Sequence, residues 1–268
     1  MKEENRLERG YKKLSEVDGK AGEDVKNGLN EISPDLVKYM VEYAFGDIYS
    51  RDGLDLKSKE IAVVAALTAL GNAQPQLKVH INGALNVGCT INEVKEIILQ
   101  MSVYSGFPTC INAMNALKDV LNEREEQGIK DCIGNEPTNE VSPMDRYEVG
   151  VKELSELDSS QVELLKKAYN EFSPDLITLV IHSYADVIGR NNLNKKYRQI
   201  ATIAALTALG NATPQLKFHI KAGLNIGLTA DDVKEIMLLM TVYSGFPSAI
   251  NGTNILKEVL YCLPLRNL

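Results

Sequence analysis

The chain contains one sequence module twice, and this duplication limits its possible folds more than any other feature. The string AALTALGN occurs at 65–72 and again at 204–211, and VYSGFP occurs at 103–108 and again at 242–247. Both pairs are separated by 139 positions. A repeat of this length indicates two copies of one domain rather than a solenoid of short units.

The two copies differ in length by one residue. Near the start of each half, Ser33–Leu36 matches Ser173–Leu176 at a separation of 140 positions instead of 139. The second half has therefore lost one residue between Leu36 and Phe45.

The repeat divides the 268 residues into three parts. We predict a first module over 1–122, a linker over 123–144 and a second module over 145–268. The linker is polar and contains residues that interrupt regular structure, namely Gly128, Gly134, Pro137 and Pro143.

Each module is predicted to be all-α. Apolar residues recur at helical spacing, and no window alternates with a period of two for long enough to indicate a sheet. The helix from Ser58 to Leu70 is apolar nearly all round, which is typical of a helix surrounded by others. Four more helices are predicted, from Pro34 to about Ile48, from Pro75 to Gly88, from the capping box Thr90–Glu93, and after Phe107.

Composition and charge exclude several classes of function. The chain carries 29 Lys and Arg against 36 Asp and Glu, a net charge of −7. This acidic balance argues against nucleic acid and against anionic membrane surfaces as partners. The longest apolar stretch, from Ile61 to Leu70, is far shorter than the roughly 20 residues that span a bilayer.

The cysteines predict neither disulfides nor a metal site. Cys89, Cys110, Cys132 and Cys262 are widely spaced, with no CxxC pair and no Cys/His cluster. We therefore expect a cytoplasmic protein with unpaired, mostly buried thiols and no bound metal.

Two histidines occupy equivalent positions, His80 in PQLKVHI and His219 in PQLKFHI. His80 lies at the edge of the apolar stripe of its helix, so it is either a core histidine or a catalytic one. Glu60, in the first turn of the buried helix, is either a favourable charge at a helix N-terminus or an acid/base partner of His80. Its counterpart is Gln199, which cannot transfer protons. Straight-helix geometry places the two side chains at different heights, so they form one site only if the helices cross obliquely or a neighbouring helix completes it.

Arginine and tyrosine pairs supply further candidates. Arg51 and Arg190 each follow the first long helix, and they are either solvated or bind a substrate carboxylate. Tyr104 and Tyr243 lie at helical spacing, which is typical of core residues, but could donate a hydrogen bond to substrate.

Both modules contain ALTALGN, a His five residues after Pro, and VYSGFP, within the segments 59–117 and 198–256. With these motifs the two segments resemble the carboxymuconolactone decarboxylase family. The resemblance implies an all-helical fold like that of alkylhydroperoxidase D. It also implies assembly into rings, so that a tandem chain would form a homo-oligomeric trimer with six modules.

The family contains two chemistries. Its peroxidase branch uses a CxxC pair followed by His, but those cysteine positions hold Ala73 and Gln76 in the first module and Ala212 and Gln215 in the second. The other branch is a cofactor-independent decarboxylase that converts 4-carboxymuconolactone to an enol-lactone with loss of CO₂.

The resemblance thus favours a carboxy-lyase that acts on a small carboxylated lactone or related acid without a cofactor. His80 would be the general acid, Glu60 would orient or recharge it, and Arg51 would hold a second carboxylate. His219 completes the predicted catalytic residues, and the predicted substrate-binding residues are Arg51, Arg190, Tyr104 and Tyr243. Peroxidase activity without CxxC, or a non-catalytic binding or assembly module, remain the alternatives.

Overall fold

The computed structural model describes residues 5–262, and these residues form helices and loops without a β-strand. The first module contains α1 (Arg6–Val17), α2 (Gly19–Asn30), α3 (Pro34–Tyr39), α4 (Leu56–Leu70), α5 (Gln74–Asn86), α6 (Ile91–Tyr104) and α7 (Phe107–Glu126). The second contains α8 (Arg146–Leu157), α9 (Gln161–Tyr169), α10 (Pro174–Ser183), α11 (Lys195–Leu209), α12 (Thr213–Asn225), α13 (Ala230–Tyr243) and α14 (Gly245–Cys262). The predicted all-α class is confirmed.

The predicted helix boundaries follow from local signals. The Asp55 side chain accepts a hydrogen bond from the Ser58 backbone N–H at 2.7 Å and begins α4, and Gly71 ends α4 at a φ of 68°. Such a positive φ costs glycine little, since it has no Cβ. The predicted capping box of Thr90 and Glu93 begins α6. The sequence prediction missed α1 and α2, and their counterparts α8 and α9.

One predicted helix changes its winding. After α3 the chain continues as a π-helix over Met40–Tyr49, whereas the corresponding π segment after α10 covers only Tyr184–Ile188. A π turn accommodates one residue more than an α turn, and it frequently occurs at functional sites. The residue that the second half lacks falls in this region, so the longer π segment agrees with the change in repeat spacing.

The two modules share one hydrophobic core. Helix α4 is buried continuously from Ser58 to Ala69, as its all-round apolar pattern predicts. Its most extensive packing partner among the described elements is α11, its counterpart in the other module. The buried residues of α4 include several small ones, among them Ala62 and Ala66. The modules therefore stabilise one another through their central helices.

The predicted linker is partly ordered against the first module. Residues 123–126 still belong to α7, and the backbone carbonyls of Cys132 and Ile133 accept hydrogen bonds from the N–H groups of Ile91 and Asn92. The module boundaries stay predictions, and their outer ends, 1–4 and 263–268, lie outside the described residues. No helix within 5–262 is long and apolar enough to cross a membrane.

Candidate active site

The structure brings Glu60 and His80 into direct contact. His80 Nδ1 lies 3.1 Å from Glu60 Oε2 and 3.4 Å from Oε1. Glu60 is fully buried, and His80 is 6% exposed. The packing of α5 against α4 thus overcomes the difference in height along straight helices. Because Glu60 engages Nδ1, Nε2 is the ring nitrogen that this contact leaves free.

Two tyrosines extend this pair into a chain of hydrogen bonds. The Tyr49 hydroxyl donates to Glu60 Oε1 at 2.5 Å, and the Tyr243 hydroxyl donates to that of Tyr49 at 2.9 Å. The Tyr243 ring also lies edge-on to the His80 ring, with centroids 4.9 Å apart. Tyr243 belongs to the second module, so each module contributes to the first module's site.

A second buried carboxylate, Asp18, faces the same cluster. Atoms of Asp18, Glu60 and His80 that could ligate a metal lie within 4.8 Å of one another. Asp18 Oδ1 is buried without a hydrogen-bond partner among the described residues. Gly83 permits this approach, since a Cβ there would lie 2.8 Å from Glu60 Oε2 and 3.1 Å from Asp18 Oδ1. Both Glu60 oxygens have hydrogen-bond contacts, with Tyr49 and His80, whereas Asp18 Oδ1 has none.

The electrostatics favour a charged histidine. Burial lowers the pKa of His80, but the charge and hydrogen bond of Glu60, together with Asp18, outweigh burial and raise the pKa above its usual value. Burial raises the pKa of Asp18 to about 7, against the opposing effect of His80. Burial also raises the pKa of Tyr49, so this residue remains a neutral donor. The surroundings of His80 therefore favour its protonated form more than water does.

The second module has the same geometry but no charge on its histidine. His219 Nδ1 lies 2.9 Å from Gln199 Oε1, and burial lowers the pKa of His219 to about 3. Tyr104, from the first module, lies edge-on to the His219 ring at 5.2 Å. The histidine of each module therefore packs against a tyrosine of the other.

Three further differences distinguish the second module from the acidic cluster of the first. Asp158, the counterpart of Asp18, is neutralised by Lys221 at 2.6 Å. Ala222 stands in the place of Gly83, and Ile188 in the place of Tyr49. Compared with the first copy, one carboxylate is replaced by an amide and the other is paired with a lysine. The tyrosine hydroxyl and the space left by the glycine are also lost.

A cavity of about 390 Å³ opens beside His219. Its lining includes Tyr104, Tyr184, Phe218 and Leu165, and none of the described residues that line it is Asp, Glu, Lys or Arg. The size lies within the usual range of small-molecule sites.

The two predicted carboxylate-binding arginines join the modules instead of lying free. Arg51 contacts Glu235 in two places, at 2.7 and 2.9 Å. Arg190 contacts Glu96 at 2.8 Å, and the buried Arg198 also reaches Glu96, at 2.9 Å. The Arg51 and Arg190 pairs are equivalent by the repeat. A role for Arg51 or Arg190 in substrate binding would require its ion pair to open, and stays a prediction.

Sequence reasoning missed Asp18 and Tyr49. Asp18 could have been found because the repeat contains an equivalent aspartate, Asp158, but the helix that precedes Asp18 was not predicted. Tyr49 gave none, because Ile188 occupies its place in the other copy. The exchange of Tyr104 and Tyr243 between modules depends on how the modules pack, which the repeat alone does not reveal.

The cysteines stand apart from this chemistry. All four are free; Cys89 and Cys110 are buried, while Cys132 and Cys262 are exposed. Burial raises the pKa of the Cys89 thiol to about 12, which suppresses the reactive thiolate.

Comparison with known proteins agrees with this architecture. The model of the carboxymuconolactone decarboxylase family matches residues 34–119 and 174–258, together more than half of the chain. Over 125 residues the chain is 31% identical to a 4-carboxymuconolactone decarboxylase of Acinetobacter baylyi, covering 46% of this chain and 92% of that protein. The chain is also 31% identical to a nitrosuccinic acid decarboxylase of Metarhizium robertsii over 125 residues, which covers 46% of this chain and 85% of that protein.

A solved structure shares the tandem fold. It comes from Burkholderia xenovorans and carries the name of a gamma-carboxymuconolactone decarboxylase subunit; it aligns with a TM-score of 0.59 and 22% identity over 96% of this chain and 98% of its own. At this identity the likeness shows the fold alone. The two family matches, one in each half, establish that the chain is a tandem member of the carboxymuconolactone decarboxylase family.

Proposed function

We propose that the chain is a decarboxylase of small carboxylated acids whose proton chemistry takes place in the first module. The contact between the buried Glu60 and His80 carries this proposal, because Glu60 raises the pKa of the imidazole and leaves its Nε2 outside their contact. The names of the relatives, which include two decarboxylases of different acids, support the reaction type.

The residues suit the electron flow of a decarboxylation. The bond between the carboxylate and its carbon breaks, CO₂ leaves, and the electron pair passes into a conjugated carbonyl of the substrate. Nε2–H of His80 then donates its proton to carbon, which is general acid catalysis. Glu60 stabilises the imidazolium before the transfer and fixes the ring through Nδ1.

Each turnover consumes one proton, so His80 must be recharged. Asp18 is placed to do this, since it belongs to the buried cluster and also lines a polar cavity of about 280 Å³ with Asn82 and Arg124. With a pKa of about 7, Asp18 exchanges protons readily at neutral pH.

The experiment is CO₂ release from 4-carboxymuconolactone and from nitrosuccinate, measured with the wild-type chain and with Glu60→Gln. We expect release from a small carboxylated acid of this kind and a loss of about 10²- to 10⁴-fold in kcat for the variant. Full turnover by Glu60→Gln would contradict the assignment of the site. Absence of CO₂ release from both acids would contradict the proposed substrates.

The peroxidase alternative is tested on the same protein by replacing all four cysteines with serine. We expect no change in CO₂ release and no thiol-dependent consumption of peroxide. Peroxide consumption that disappeared with the cysteines would favour the other branch of the family.

The proposed assembly is a homo-oligomer, specifically a trimer of chains. Large apolar side chains are exposed at matching positions in both modules, a pattern that favours covered surfaces. These positions are Ile32 and Phe172, Leu36 and Leu176, Tyr39 and Leu179, Phe107 and Phe246, and Ile111 and Ile250. Light scattering of the purified chain should give three times the 29.6 kDa chain mass, and a monomer would contradict the proposal.

A further inference from the structure

The duplicated site has diverged toward a different task in the second module. The cavity beside His219, defined above by Tyr104, Tyr184, Phe218 and Leu165, holds about 390 Å³ and is lined mainly by apolar and aromatic side chains. The exposed Leu164 and Tyr169 lie at its rim. This volume accommodates one ring-sized molecule.

The cavity is unsuited to a carboxylate. No Lys or Arg is found among its described lining residues, and Arg190 pairs with Glu96 elsewhere. Moving an ionised carboxylate from water to such a surface is costly without a partner charge. Three lysines close to this site in sequence are bound to carboxylates: Lys166 to Glu163, Lys217 to Glu258 and Lys221 to Asp158. An uncharged ligand avoids that cost.

His219 supplies one directional polar contact. The amide oxygen of Gln199 faces Nδ1 at 2.9 Å, so Nδ1 carries the hydrogen and donates it. Nε2 then keeps a lone pair, which accepts a hydrogen bond from a ligand. A ligand with a hydroxyl or N–H group therefore matches the site better than one without.

We propose that the second module binds an uncharged, ring-sized molecule with a hydrogen-bond donor, such as a phenol, in the cavity beside His219. The site holds this ligand without proton transfer, because Gln199 replaces the carboxylate that the first module uses. This inference is independent of the reaction proposed for the first module.

The test is calorimetric titration of the full chain with three probes of one ring size: p-cresol, toluene and p-toluate. We expect p-cresol to bind at least about 10-fold more tightly than p-toluate, which carries the charge, and several-fold more tightly than toluene, which lacks the donor. Equal binding of p-cresol and p-toluate, or no binding of p-cresol, would overturn the proposal.

Matched substitutions locate the binding. Leu165→Trp fills the cavity and should abolish p-cresol binding, whereas Val25→Trp, at the equivalent half-buried position of α2, should leave it unchanged. His219→Phe keeps a ring but removes the acceptor, so p-cresol affinity should fall to that of toluene. Thermal unfolding of each variant verifies that it is folded. Loss of binding in Val25→Trp equal to that in Leu165→Trp, or unchanged p-cresol affinity in His219→Phe, would place the ligand elsewhere and overturn the proposal.

Discussion

The imidazole of His80 lies edge-on against the ring of Tyr243, with 4.9 Å between centroids, although the two residues belong to different modules. The reciprocal contact joins His219 and Tyr104 at 5.2 Å. Neither site is complete within its own module. This relationship gives the tandem arrangement a direct chemical consequence, because each histidine takes an aromatic neighbour from the other module.

Removing the Tyr243 hydroxyl should weaken the first site without dismantling it. Tyr243→Phe keeps the ring against His80 but deletes the donor to Tyr49, so we expect a loss of about 3- to 10-fold in kcat, in line with one hydrogen bond of roughly 0.5–1.5 kcal/mol. Tyr104→Phe is the matched control in the other site and should not change turnover. Steady-state kinetics of CO₂ release measures both, and equal losses would contradict the assignment of catalysis to the first module.

Exchanging the acidic and amide partners should exchange the histidine pKa values. In Glu60→Gln the burial that lowers the pKa of His80 loses its main opponent, so this pKa should fall below the ordinary 6.5. In Gln199→Glu a carboxylate takes the place of the amide 2.9 Å from His219, and the pKa of His219 should rise from about 3. NMR titration of the ring C–H signals follows both, with only three histidines to assign. A His80 pKa that did not change in Glu60→Gln would contradict this account.

The two aspartates should give opposite dependences of stability on pH. The pKa of Asp18 is raised from 3.8 to about 7, so its contribution to the free energy of unfolding is full below 3.8 and is lost as the pH rises toward 7. Asp18→Asn removes this loss. The free energy of unfolding of the variant, relative to that of the wild type, should therefore rise by up to about 4 kcal/mol between pH 4 and pH 8, at 1.36 kcal/mol per pKa unit.

Asp158 is the matched control for that change. Burial raises the pKa of Asp158, but Lys221 and Ser160 outweigh burial and hold the pKa below its usual value. Its contribution is therefore present above 3.8 and is lost as the pH falls through the folded-state pKa. Asp158→Asn should destabilise the chain at pH 7 and less so in acid. Urea unfolding across this pH range compares the variants, and parallel pH profiles would refute the difference in environment.

Glu96 and Glu235, which each bind arginine across the modules, should differ in their contribution to stability. Glu96 is 2% exposed and holds Arg198, which is 1% exposed, so Glu96→Gln leaves a buried cation unpaired and should cost about 3–5 kcal/mol. Glu235 holds Arg51, whose side chain is 46% exposed, so Glu235→Gln should cost about 1 kcal/mol or less. Urea unfolding measures both. Similar costs would mean that Arg198 finds other partners in the variant.

The all-α fold is predictable from the sequence because helical periodicity is a local pattern and the repeat presents it in both halves. The capping box of Thr90 and the αL glycine after α4 placed helix ends within a few residues. His80, His219 and Glu60 were found because the histidine is repeated and the glutamate lies in an otherwise apolar helix. The sequence does not predict α1 and α2, because most residues of these helices are polar and few of them are buried.

The sequence could not reveal the composition of the site across modules. Arg51 and Arg190 repeat as faithfully as the histidines, yet their partners, Glu235 and Glu96, lie in the opposite module. Tyr49 is positioned by the π segment, whose extra residue appears in the sequence only as a change in repeat spacing. These relationships arise from packing between distant segments, which local patterns do not encode.

The division of labour between the modules is tested most directly by inactivating one histidine at a time. CO₂ release from the preferred carboxylated substrate is measured for His80→Ala and His219→Ala, with thermal unfolding to verify that each chain is folded. The pairing of His80 with Glu60, in contrast to that of His219 with Gln199, predicts a loss of about 10²-fold or more in kcat for His80→Ala and a near-normal kcat for His219→Ala. Equal losses in the two variants, or a greater loss in His219→Ala, would contradict it.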